Sequence, residues 1–151
     1  MKKEIPIFKP IIAGNEKKYL QECVETKWFS SRGPFVEKFE KLLSDYIGVK
    51  YALSTSNCTT ALHLALKAIG IEQGDEVICP ALTFISPIHM VSLTGATPVL
   101  VDIEEDTWNI DPQKVKESIT NKTKAILVIH AFGQSAKMDK ILNIAKENNL
   151  Y

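Results

Sequence analysis

The chain has 151 residues, 45% of them hydrophobic and 24% charged, which fits one soluble globular domain or a large piece of one and excludes a disordered chain. Eighteen basic residues balance eighteen acidic ones, so no global field favours nucleic acid or an anionic membrane surface. Among the basic residues only Arg32 is an arginine, so a bidentate clamp on a carboxylate or phosphate has a single candidate.

In chain order, Asn15 is placed to cap a first helix whose Tyr19, Leu20, Cys23 and Val24 share one face. Trp28 to Pro34 breaks that pattern, with Gly33 and Pro34 as punctuation. A second helix runs from Phe35 to Tyr46 and stops near Gly48. From there the pattern changes to strand and helix in alternation. Tyr51–Ser54 reads as a short strand, Thr59–Ile69 as an apolar helix closed by Gly70, and Glu76–Cys79 as a strand ended by Pro80. Ile85–Leu93 is helical with Pro87 in its first turn, and Pro98–Asp102 is a strand. Asp111 caps a helix over Pro112–Ile119, Lys124–Ile129 is an apolar strand, and Met138–Asn148 is a helix with Ile141, Leu142, Ile144 and Ala145 inward. Such alternation predicts an α/β fold with a mostly parallel sheet, buried on both faces by flanking helices. Another strand is due where the chain reaches Leu150–Tyr151, so the domain reads as incomplete.

The three cysteines, Cys23, Cys58 and Cys79, are an odd number without close spacing and give neither a disulfide framework nor a zinc site. The lysines at the N-terminus have no apolar stretch behind them, so no signal peptide is read there. No apolar run reaches the roughly 18 residues that a transmembrane helix needs. A reduced, cytoplasmic protein is the expectation.

Ligands of open α/β sheets bind beyond the carboxyl ends of the strands, so the residues that follow each strand carry the search for chemistry. Ser54 to Thr60 are small and polar and open a helix, where free N–H groups and the positive end of the helix dipole can hold a phosphate. The same residues suit an ordinary helix cap. Phe84, after the next strand, can stack on a flat ring or fill a core. His130, after the last strand, is either an acid–base group or a buried histidine with satisfied nitrogens. His63 reads as structural, and Cys58 at a helix N-terminus has no visible base to make it a catalytic thiol. The acidic turn Glu104-Glu105-Asp106 reads as a solvated connection. Neither a glycine-rich nucleotide fingerprint nor a metal-ligand cluster is present in the sequence.

Taken in order, a series of motifs resembles the DegT/DnrJ/EryC1/StrS family of sugar aminotransferases dependent on pyridoxal 5'-phosphate (PLP). The carrying stretches are Trp28-Phe29-Ser30-Ser31-Arg32-Gly33, Phe39-Glu40, Tyr46 to Lys50, Asn57-Cys58-Thr59-Thr60-Ala61-Leu62-His63, Gly74 to Ile78, Thr83-Phe84, Gly95 to Val99, Val101-Asp102, Thr123 to Ile126, His130 and Gly133-Gln134. The resemblance implies the large domain of fold-type I aminotransferases, with residues 1–48 as an N-terminal helical segment and 49–151 as the truncated first part of the PLP-binding domain. It implies that Asn57 and the backbone at Cys58 and Thr59 hold the cofactor phosphate, and that Phe84 stacks on the pyridine ring. It also implies that Trp28, Ser30 and Ser31 lie near a nucleotide-linked keto sugar, that glutamate is the amino donor, and that the complete enzyme is a homodimer. The wording is most like the perosamine-synthase branch, which aminates a GDP-linked 4-keto-6-deoxy sugar.

Two departures stand out. The family usually has glycine where this chain has Cys58, and glycine lets a phosphate approach the backbone closely. The chain also stops before the family's ring-pairing Asp and its Schiff-base Lys, so no catalytic residue is assigned and the piece alone is expected to be inactive. A non-catalytic remnant and a PLP-dependent sugar dehydratase are the alternatives.

Overall fold

A computed structural model describes residue 6, residues 9–28 and residues 30–151. The stretch Met1–Ile5, read above as lacking a leader, and Phe29 of the Trp28–Gly33 motif lie outside the described residues. The chain divides into two compact units, Met1–Ser54 and Thr55–Tyr151.

In the first unit, α1 (Glu16–Glu25) follows Asn15, and α2 (Pro34–Ile47) begins at a proline and ends at Gly48. Proline suits that first position because the N–H it lacks would have no helical partner. The Asn15 side chain does not cap α1; the Glu16 carboxylate reaches back to the Gly14 N–H instead. Tyr19 and Phe35 join the helices, their ring centres 5.3 Å apart. The apolar faces read from periodicity stay open within this unit: Leu20, Val24, Phe39, Leu42 and Tyr46 are all exposed. Periodicity marks an apolar stripe but does not supply the surface that covers it.

Tyr51–Ser54, predicted as a strand, forms none. A strand needs a neighbouring backbone to take its polar groups. Here Ser54 gives both its N–H and its hydroxyl to one oxygen of Glu40, each at 2.8 Å.

The second unit is a three-stranded parallel sheet in the order β2-β1-β3, with β1 at Glu76–Pro80, β2 at Thr97–Val101 and β3 at Thr123–Ile126. Its helices are α3 (Cys58–Ala68), α4 (Ile85–Leu93), α5 (Pro112–Glu117) and α6 (Met138–Glu147), all close to their predicted places. Asp111 caps α5 as expected, its carboxylate accepting the Gln113 N–H at 2.8 Å. Alternation along β1 splits the core. Val77 and Cys79 face one side, with Leu66 of α3, Val91 of α4, Ile71 and Ala96. Ile78 faces the other side, with Val115 of α5 and Ile141 and Ile144 of α6. Each fully buried aliphatic contributes about 1.5–3 kcal/mol of transfer free energy, so β1 is the stabilising centre of the sheet.

Two expectations fail in detail. Leu142 of α6 is exposed, because Ile141 and Ile144 already fill the stripe that meets the sheet. The acidic turn is not wholly solvated: Glu104 is largely buried, pairs with Lys137 and accepts the Thr107 hydroxyl. That pairing holds the Lys137 ammonium above the usual lysine range, first through its hydrogen bond to Glu104. The strand due at the end of the sequence is visible in outline, since the Tyr151 carbonyl accepts the Ile126 N–H and the Tyr151 N–H reaches the Lys124 carbonyl.

Candidate functional site

Two helix N-termini converge on one edge of the sheet. β1 and β2 pair in parallel with Glu76 opposite Thr97, and α3 and α4 each lead by a short turn into the start of one of these strands. Both helices therefore end at the amino edge of the sheet and point their N-termini toward its carboxyl edge, where ligands of such sheets bind. The motifs Asn57-Cys58-Thr59 and Thr83-Phe84, separated in the chain, are brought to the same edge by this topology.

At the α3 N-terminus the cap and the anion site coexist. Asn57 accepts the Thr60 N–H with its side-chain oxygen at 2.9 Å, and its backbone carbonyl accepts the Ala61 N–H. The first-turn N–H groups of Cys58 and Thr59 have no acceptor within the helix and carry the positive end of its dipole. Asn57 is thus committed to capping, its amide group donating to the Ser56 hydroxyl. Cys58 is exposed, so its side chain is not packed into the protein beneath the turn.

At the α4 N-terminus, Phe84 is 80% exposed and precedes the helix in extended backbone. Phe84 therefore fills no core within this unit. Phe84 lines a cleft of about 340 Å³ together with Leu82, Thr83, Ile129, His130, Ala131 and Phe132. That volume lies within the range of small-molecule pockets. The Thr83 hydroxyl is buried without a hydrogen-bond partner, an arrangement worth about 1–3 kcal/mol to any group that supplies one. His130 is exposed, and its Nδ1 accepts the Ala136 N–H at 3.2 Å. Its Nδ1 is therefore engaged while the ring is not buried, and in its neutral form the ring proton sits on Nε2.

Asn109 is a buried residue beside the cleft that the sequence did not single out. It is 1% exposed, and its side-chain oxygen accepts the Ala131 N–H at 2.9 Å while its amide group donates to the Gln134 carbonyl at 3.1 Å. Asparagine in a loop is an ordinary turn residue, and nothing in its neighbourhood marks a partner 22 positions on.

In the first unit, Trp28, Ser30 and Ser31 all lie exposed in the turn between α1 and α2. The Ser30 hydroxyl donates to the Arg32 carbonyl at 3.2 Å, so it shapes the turn. The Trp28 ring packs over Gly33, where an added Cβ would come within 3.2 Å of it and the backbone φ is +154°. Among the described residues, no cluster of His, Cys, Asp and Glu could hold a metal ion, and no helix is long and apolar enough to cross a membrane.

The family model for DegT/DnrJ/EryC1/StrS aminotransferases matches residues 10–151. The chain belongs to this family. It is 44% identical over 149 residues to the GDP-perosamine synthase of Escherichia coli O157:H7, with 99% of this chain and 41% of that protein covered. It is 50% identical over 146 residues to the GDP-perosamine synthase of Caulobacter vibrioides, with 97% of this chain and 39% of that protein covered. The crystal structure of a GDP-4-keto-6-deoxymannose-3-dehydratase with a trapped PLP-glutamate geminal diamine superposes with a TM-score of 0.87 at 29% identity, covering 97% of this chain and 39% of that one. The chain thus spans about two fifths of the length of the curated relatives it matches.

The family's PLP can be tested against the residues present, and they fit. Two free N–H groups at a helix N-terminus suit a phosphate, an exposed aromatic suits a flat ring, and an unpartnered hydroxyl awaits a polar atom.

Proposed function

We propose that this chain is the cofactor-binding front of a PLP-dependent aminotransferase that aminates a nucleotide-linked keto sugar, a GDP-linked 4-keto-6-deoxy sugar by preference. The observation that carries the reading is the convergence of the α3 N-terminus and the exposed Phe84 on one edge of the sheet. The resemblance to two GDP-perosamine synthases over nearly the whole chain supports the substrate class. In this reading residues 1–48 form an N-terminal helical segment and 49–151 the first part of the large PLP domain.

The backbone N–H groups of Cys58 and Thr59 hold the cofactor phosphate, and Asn57 keeps that turn in shape by taking the Thr60 N–H. Phe84 covers one face of the pyridine ring and excludes water from it. Thr83 donates its hydroxyl to a polar atom of the occupant. Trp28, Ser30 and Ser31 contact the sugar nucleotide from the turn between α1 and α2. When bound, PLP supplies an electron-withdrawing ring that lets an amino group and a proton pass between donor and acceptor. Glutamate serves as the amino donor, the enzyme works as a homodimer, and it acts in the cytoplasm.

The likeness to a PLP-bound dehydratase gives a second reading, in which the same front half serves removal of a hydroxyl group. One experiment separates them. The complete product of the gene is loaded with PLP and incubated with glutamate and GDP-4-keto-6-deoxymannose, and the sugar nucleotide is weighed by mass spectrometry. An amino sugar with matching 2-oxoglutarate supports the aminotransferase. A deoxygenated sugar without retained nitrogen supports the dehydratase, and an unchanged substrate with no bound cofactor refutes both.

A further inference from the structure

The cleft has two walls of different character. One is Leu82 to Phe84, directly continuous with β1. The other is the turn His130-Ala131-Phe132, which belongs to no strand or long helix and must be held by something else. We propose that Asn109 is a positioning residue: its buried carboxamide holds the His130–Phe132 wall and so sets how tightly the cleft takes an aromatic ring. The inference rests on the cofactor reading above.

Five observations support it. The Asn109 carboxamide is bonded on both sides, to the Ala131 N–H at 2.9 Å and to the Gln134 carbonyl at 3.1 Å, so it clamps the turn before and after Phe132. It also reaches the Thr107 carbonyl at 3.4 Å, which ties the clamp back to its own loop. Within the clamp, Phe132 has a φ of +51°, and beside Asn109, Trp108 has a φ of +59°. Aromatic residues rarely adopt this region, and such conformations persist only where the surroundings fix them. The two strained residues meet edge to face, ring centres 5.8 Å apart, and Phe132 remains 81% exposed beside the cleft. Finally, the Ala136 N–H fixes the His130 ring, so the wall offers Nε2 as its one unengaged ring nitrogen.

A turn kept strained to leave an aromatic ring and an imidazole nitrogen exposed is preorganised for an occupant. Asn109 does not itself line the cleft and acts on the occupant through Ala131 and His130.

The test uses pyridoxamine 5'-phosphate, which lacks the aldehyde that would form imines with the chain's many lysines. Binding to the complete product of the gene is measured by equilibrium dialysis for the natural protein and for Asn109→Asp. That variant keeps the acceptor for Ala131 and removes the donor to Gln134. Affinity should fall about ten-fold, as expected for one charged or broken buried hydrogen bond. The His130 ring nitrogens, one acceptor and one protonated in the natural chain, should average in the variant's 15N spectrum. Equal affinity in both proteins, with only the melting temperature lowered, overturns the positioning role and leaves the cofactor reading standing. Failure of the natural chain to bind overturns the cofactor reading itself. Should Asn109→Asp not fold, the natural chain still decides: saturating ligand must shift the Asn109 side-chain amide and His130 ring signals, and unshifted signals overturn the proposal.

Discussion

Replacing Phe84 by alanine separates a residue that holds the fold from one that holds a ligand. The ring is 80% exposed, so its removal leaves little cavity and should change stability by no more than about 0.5 kcal/mol, the usual range for surface substitutions. Binding is another matter. An aromatic side chain presents roughly 200 Å² in all, and a stacked ring covers on the order of 80 Å² of what is open here. At about 25 cal/mol per Å² that is near 2 kcal/mol, to which stacking geometry adds about 0.5–1.5 kcal/mol. Area never converts fully into affinity, so a loss of roughly 10- to 100-fold is the expected result. The assay is dialysis of pyridoxamine 5'-phosphate against the complete natural gene product and its Phe84→Ala variant, alongside thermal melts of both. Unchanged affinity would refute the stacking role. A large drop in melting temperature would show that the exposed ring is structural after all.

Four further outcomes follow from the structure. Thiol labelling should modify Cys58, which is exposed, and spare Cys79, whose thiol is pushed by burial up to about 12; a mass spectrum of the labelled peptides reads this directly. Because the Cys79 value is raised in the fold, its neutral thiol costs nothing below the ordinary value of 9.0, and stability is lost as pH rises from there toward about 12. Gly95→Ala should destabilise by about 1–3 kcal/mol in urea unfolding, since the position has φ +92° and a new Cβ would sit 3.2 Å from Gln73 Cβ. Glu40 is held below the usual carboxylate range, first by the Ser54 N–H and then by its hydroxyl. Its contribution is therefore present above the ordinary value of 4.5 and lost as pH falls through the folded one, so the stability deficit of Glu40→Gln should shrink on acidification. A deficit that stays constant across that pH range would argue against the pairing.

What could be read from the sequence was whatever depends on neighbours in the chain. Asp111 with Pro112 after it, and Gly48 after an apolar stripe, are local signals, and the helices they bound are where they were expected. The parallel sheet was legible because its strands are apolar and separated by helices of the right length. Tyr51–Ser54 failed because its alternation is as good as any strand's, while strand character depends on a partner that the segment itself does not encode. Leu142 failed for a similar reason: the period allows a broad stripe on α6, and only the width of the contact with the sheet decides which residues use it.

The candidate site divides along the same line. The α3 N-terminus and Phe84 were visible because a helix N-terminus and a strand end are local features, and the parallel topology then places both at one edge. The opposite wall was invisible because it is held by one asparagine acting across 22 and 25 positions on a turn with no regular structure. Strain points the same way: Trp108 and Phe132 violate the local preferences that sequence reading relies on, and they do so on either side of that clamp. Local rules fail where a fold spends stability on shape, and here that place borders the exposed ring of the cleft. The clamp joins Asn109 to the turn that carries Phe132, and that turn lines the same cleft as Phe84.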